Sequence, residues 1–162
     1  MPNYSESLPE LFRRVTEAKT KEDKIGLLRQ YKNTQALHTV LQGAFDPRVT
    51  WNLPEGTPPY KKDDSPYGLS PSVLEKEIRK LVYFLPGRLI QNRMKREEVF
   101  VQILESIHPS ESELLIQMKD KRIDGLTARL IWEAIPELFP EPPEPVVVSK
   151  KKTAKKKTAK NE

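Results

Sequence analysis

Seven lysines crowd into the last thirteen residues of this chain, against a single glutamate, Glu162. The run Lys-Lys-Lys-Thr-Ala occurs twice, from Lys150 and again from Lys155. Ammonium groups at this density neutralise phosphates and release their condensed counterions. Lys150, Lys151, Lys152, Lys155, Lys156 and Lys157 are therefore candidate contacts to nucleic acid, blind to sequence and sensitive to salt. A purely solubilising arm is the plain alternative. The segment carries a net charge of +6, whereas the other 149 residues hold 21 basic and 22 acidic side chains. A nucleic-acid site in that body must then rest on local clusters, not on overall charge.

Two such clusters stand out. In the first, Lys119-Asp120-Lys121-Arg122-Ile123-Asp124-Gly125-Leu126-Thr127, basic residues close one helix and a glycine permits a tight turn. A new helix begins just after it, and its N-terminal amides and dipole favour anions. Lys119, Lys121, Arg122 and Thr127 can join them, with Gly125 as the corner; an ordinary helix–helix turn with solvated charges competes. The second cluster, Arg88, Arg93, Lys95 and Arg96, precedes a helix and reads equally as a phosphate clamp or a solvated loop. Asp46-Pro47-Arg48 with Lys61 and Lys62 gives a third basic surface. The spacing Lys121-x-x-Asp124-Gly125 also approaches the Lys-x-Asp-Gly that takes AMP in nucleotidyltransferases. It is one residue too long, and no second nucleotide motif follows.

Other chemistries lack their residues. The chain has no cysteine and only His38 and His108, so thiolate catalysis, disulfides and a histidine metal cluster are excluded. No Ser/His/Asp set or glycine-rich phosphate loop is present. A non-enzymatic protein without cofactor is expected. The polar stretch 1–10 does not read as a signal peptide, and no run approaches the ~20 apolar residues that span a bilayer, so a cytoplasmic setting is expected.

The elements that must position these side chains are helical. Ser7 with Pro9 opens Leu8, Leu11, Phe12 and Val15; Thr20 with Asp23 opens Ile25, Leu27, Leu28 and Tyr31. Asn33 can cap a third helix through Ala44, stopped by Asp46-Pro47. Residues 46–68 form a long Pro-rich loop, with Val49, Trp51 and Leu53 as a short alternation; a loop this long hints at recognition. Ser70-Pro71 predicts a cap and first turn for a helix through Leu85. Helices over 99–107, from Pro109 to about 124, and over 126–135 follow. Trp51 and Trp132 read as core anchors, Glu97-Glu98 and 111–113 as helix-start charges, and His108 as a helix-end residue. The expectation is an all-α bundle of about six to seven helices over 1–140. A Pro-rich spacer and disordered lysine-rich tail occupy 141–162.

The order of features resembles the N-terminal DNA-binding domain of ATP-dependent DNA ligases, especially the short phage type. It runs from Lys24-Ile25-Gly26-Leu27-Leu28 through Phe45-Asp46-Pro47-Arg48-Val49-Thr50-Trp51 to 96–108. It closes on Gly125-Leu126-Thr127-Ala128-Arg129-Leu130-Ile131-Trp132-Glu133-Ala134-Ile135-Pro136. The chain is also similar to a family of small uncharacterised proteins from T4-like phages of cyanobacteria. The ligase resemblance covers about residues 5–140, without the nucleotidyltransferase and oligonucleotide-binding domains. It implies an all-α grip on duplex DNA by shape and phosphate contacts, through Lys119, Lys121, Arg122, Gly125, Thr127 and Arg129. The function expected is nonspecific binding of double-stranded DNA, accessory to phage replication, repair or packaging. Phage replication proteins are possible partners, the host cytoplasm the location, and no membrane is involved. The second expectation is a protein-interaction adaptor whose groove is built by the Pro-rich loop.

Overall fold

The computed structural model describes residues 7–66, 69–87 and 90–142. Arg88 and the lysines of the tail lie outside the described residues. Among those described there are seven α-helices and no strand. They are α1 (Leu8–Glu17), α2 (Lys21–Gln30), α3 (Gln35–Phe45), α4 (Leu74–Glu77), α5 (Arg93–Ser106), α6 (Pro109–Lys119) and α7 (Ala128–Ala134). A 3₁₀ helix, Ile78–Phe84, continues α4.

Local chemistry sets most of the helix starts. Ser7 accepts from the Glu10 amide with Pro9 inside the first turn, and Thr20 accepts from the Asp23 amide. Asn92 caps α5 through the Lys95 amide, His108 caps α6 through the Ser110 amide, and Thr127 caps α7 through the Leu130 amide. Leu8, Leu11, Phe12 and Val15 bury one stripe of α1 against the bundle. At the centre lies α6, packed on α1, α3 and α5. It buries Leu114, Leu115, Ile116 and Met118 around most of its circumference, together with Ser112 and Glu111. Ser112 is fully enclosed, and its hydroxyl donates to the Leu104 carbonyl at 2.6 Å.

The alternation Val49, Trp51, Leu53 lies in no strand. Three expectations need correcting. Thr34, not Asn33, stands at the N-cap of α3, and it makes no side-chain cap bond. Ser70-Pro71 does not open a helix: the Ser70 hydroxyl donates to Asp63 at 2.6 Å, and α4 begins only at Leu74. Beyond one α turn the chain tightens to 3₁₀, because Ile78, Leu81 and Phe84 are buried at a strict three-residue interval, the 3₁₀ period. Glu97 and Glu98 sit one turn inside α5 rather than at its start. There they pair with Arg93 at 2.8 Å and Lys95 at 3.6 Å.

Glu111 does lie in the first turn of its helix, but it is 4% exposed. Its carboxylate accepts the Leu74 amide at 3.3 Å and so joins α6 to the start of α4. Burial raises its pKa; hydrogen bonds from the backbone at Leu74 and His108 oppose the rise, and Glu75 adds to it. With the folded pKa above the unfolded one, the folded state holds the extra proton. Stability from this group is then full in acid and lost as pH rises through the folded pKa. We predict that Glu111→Gln, which keeps the accepting oxygen, raises the denaturation midpoint relative to wild type at pH 8. The gap should close toward pH 4, and a gap that instead widens in acid rejects this account.

Candidate functional site

A proline has no backbone N–H to offer a ladder, and carbonyls pressed against helices still need donors. Residues 46–60 meet that need with three basic side chains. Arg96, 7% exposed, reaches across from α5: Nε donates to the Asn52 carbonyl at 2.6 Å, and one Nη to the carbonyls of Ile90 and Gln91 at 3.1 Å each. Lys119 at the end of α6 is equally buried. Its Nζ donates to the Pro54 carbonyl at 2.9 Å, the Gly56 carbonyl at 2.7 Å and Asp120 Oδ1 at 2.7 Å. Lys121 turns its ammonium inward onto the carbonyls of Gly43 at 2.8 Å, Asp46 at 2.9 Å and Val49 at 2.7 Å. Further bonds complete the attachment. The Trp51 indole donates to the Gly43 carbonyl at 2.9 Å, Asn52 N to the Phe84 carbonyl at 2.7 Å, and Lys61 N to Glu105 at 2.7 Å.

The corner expected to hold phosphate is therefore built differently. α6 ends in a left-handed residue that is Lys121, φ 64°, not a glycine. Lys121 N donates to the Met118 carbonyl and Arg122 N to the Gln117 carbonyl, the bond pair of a Schellman ending. The amides of Asp124, Leu126 and Leu130 are engaged by Gln117, the Ile123 carbonyl and Thr127 respectively. Gly125 is a second left-handed turn, φ 83°, and backs onto α1; a Cβ there would lie 2.6 Å from Thr16 Oγ1. Several of the corner's amides thus have partners within the fold, its inner side is closed by Thr16, and Asp120 and Asp124 flank it.

Of the remaining candidates, Arg122 bonds Asp124. Arg129 bonds Glu141 at 2.8 Å and the Pro142 carbonyl at 3.0 Å, with its guanidinium 5.6 Å from the Trp132 ring centroid. Arg93 and Lys95 pair with their own helix. Arg48 bonds Asp46 and holds that carboxyl below its usual range, opposed by burial and helped by Lys121. Trp51 and Trp132 are half-buried against the core, as expected of anchors. Arg29, which the sequence did not single out, donates to the carbonyls of Ala134 and Glu133 at 3.1 Å each and closes the end of α7.

What the clamped loop does create is a groove. Residues 53–59 lie over one side of α5 and enclose about 570 Å³. Leu53, Pro54, Pro58, Pro59, Phe100 and Val101 supply its apolar walls, and Met94, 80% exposed, stands at the lip. Glu97, Glu98 and Glu105 edge it. Among the described residues no group of three His, Cys, Asp or Glu could hold a metal, and no helix is long and apolar enough to cross a membrane.

These features define an all-α module with a cation-clamped loop and an open apolar groove. Residues 11–125 match the model of a family of unknown function (DUF6433), and the chain belongs to that family. No curated protein matches it.

If Lys121 were only a helix-end residue, Lys121→Gly would relieve a left-handed backbone and stabilise by ~1 kcal/mol. We predict the reverse: Lys121→Gly and Lys121→Met should each cost about 2–4 kcal/mol in urea denaturation, because two loop carbonyls and one in α3 lose a charged donor. Arg122→Met, removing an exposed pair, should stay within ~0.5 kcal/mol of wild type. A stabilised Lys121→Gly protein would refute the clamp.

Proposed function

We propose that this protein binds double-stranded DNA without sequence preference, with the lysine-rich tail making the phosphate contacts and the helical body acting as their scaffold. One observation carries the reading. The cations that cluster in the body are bonded to the body itself, while a net charge of +6 is concentrated in the last thirteen residues. The likeness of residues 5–140 to the DNA-binding domain of phage-type ligases supports a duplex as the ligand. It gives the body a part in placing the tail along the backbone. Contacts of this kind position a protein on DNA and carry no sequence information. On this reading the protein is not an enzyme; it tethers or recruits.

The test is fluorescence anisotropy of a labelled duplex against the full chain over a range of salt. With six lysines engaged, log affinity should fall against log salt with a slope of about −5. Replacing Lys150, Lys151, Lys152, Lys155, Lys156 and Lys157 by glutamine should flatten that slope toward zero and weaken binding at low salt by ~100-fold or more. Replacing Arg93, Lys95 and Arg122 by glutamine should change affinity less than about 3-fold, since on this reading the tail makes the phosphate contacts. A glutamine-tailed protein that keeps the wild-type slope rejects the reading. The second reading, an interaction adaptor, is favoured by the groove, whose occupant is argued next.

A further inference from the structure

The groove between residues 53–59 and α5 has the marks of a docking surface. Its floor is core: Phe100 is 2% exposed and packs edge-on to Phe84 at 5.3 Å between ring centroids. Its outer wall is stiff, with Pro54, Pro58 and Pro59 fixing the backbone and Lys119 holding the Pro54 and Gly56 carbonyls from beneath. The exposed Met94 at the lip is a flexible, polarisable side chain of the kind adaptable binding surfaces use. The edge carries three carboxylates. Glu97 is held by exposed Arg93, and Glu98 by exposed Lys95 and by Gln102 at 3.5 Å; such exposed pairs are worth little in water, so an incoming cation can compete for them. Lys119 brings no free charge to the groove because Asp120 neutralises it.

The occupant should therefore be an extended segment with apolar side chains followed directly by cations. The chain contains one. Past Phe139 the only branched aliphatic residues are Val146, Val147 and Val148, and Ser149 alone separates them from Lys150-Lys151-Lys152. β-Branched residues after Pro145 favour an extended backbone, the form that lies along a groove. Arg129 fixes the chain at Pro142 through its carbonyl at 3.0 Å. We infer that the segment Val146–Lys152 docks in this groove, its valines against Leu53, Pro58 and Val101 and its lysines over Glu97, Glu98 and Glu105. The inference does not depend on DNA binding. Where both hold, groove and duplex compete for the same lysines.

The absence of cysteine makes the test direct. In the full chain, Met94→Cys combined with Val147→Cys should form a disulfide under mild oxidation at least 10-fold faster than Lys19→Cys combined with Val147→Cys. Lys19 is exposed in the α1–α2 turn, outside the groove. A non-reducing gel reads the source of the segment: an intrachain bond supports docking by the molecule's own segment, and a fast bond that is interchain overturns it. Adding Glu97→Gln, Glu98→Gln and Glu105→Gln should cut the rate advantage several-fold. Equal rates for the two cysteine pairs overturn the docking. A rate advantage unchanged by the glutamine substitutions overturns the role given to the carboxylate edge. Met94 and Lys19 are both solvent-facing, so the substitutions leave the core intact.

Discussion

A carbonyl group held against a protein surface must find a donor, and in this molecule that demand organises the site. The segment from Gly43, in the last turn of α3, to Gly56 forms no ladder, yet its oxygens lie within reach of side chains from α5, from α6 and from Lys121 just past α6's end. Its oxygens at Gly43, Asp46, Val49, Asn52, Pro54 and Gly56 accept from Lys121, Arg96 and Lys119. An ammonium has three donors and a guanidinium five, so a few side chains satisfy many oxygens at charge-assisted strength. Where such an oxygen is shut off from water, leaving its bond unmade would cost about 1–3 kcal/mol. That is large against the ~5–15 kcal/mol that separates folded from unfolded domains. The backbone strain at Lys121 fits this account. A residue at the end of α6 accepts the left-handed conformation that glycine would take more easily, because glycine has no ammonium to offer.

The clamp needs rigid elements to reach from, and α6 supplies them. Because α1, α3 and α5 all pack on it, its C-terminal residue Lys119 emerges at a fixed place beneath the loop. Arg96 is placed in the same way by the turn above it in α5, where Phe100 locks against Phe84. The groove then follows as a by-product. A loop tied down along one edge by lysine and arginine, and stiffened by three prolines, stands away from α5 without collapsing onto it.

The helices were legible because their signals are local. Ser7-Pro9, Thr20-Asp23 and the apolar stripe of α1 state a start and a buried face within a few residues. The 3₁₀ segment was legible in principle too, since Ile78, Leu81 and Phe84 repeat every three positions, but the Ser70-Pro71 signature pointed to a longer α-helix. The carbonyl bonds of Arg96, Lys119 and Lys121 were not legible, for a physical reason. A phosphate oxygen and a peptide oxygen ask for the same donors, so a phosphate clamp and a carbonyl clamp share one vocabulary of lysine, arginine and glycine. Which one forms is decided by what lies opposite. Here that partner is a loop some 65 residues away along the chain from Lys119, at separations that no local pattern encodes. The groove was foreshadowed by the length of the Pro-rich loop, while its walls on α5 were hidden in residues that read only as one more helical stripe.

Charge is thereby divided between two regimes. In the body nearly equal numbers of basic and acidic residues are matched, many against backbone oxygens, and this leaves little field at a distance. Past Ser149 the balance breaks, and seven lysines answer to one glutamate. Such a segment gains most from whatever polyanion is nearest. A duplex offers about one charge per 1.7 Å of its axis. The groove edge offers three carboxylates, but with an apolar wall that can also take the valines. The first attraction fades as salt rises, while the apolar part of the second does not. Ionic strength and DNA concentration together then set which surface holds the tail, and the fold of the body need not change for the choice to be made.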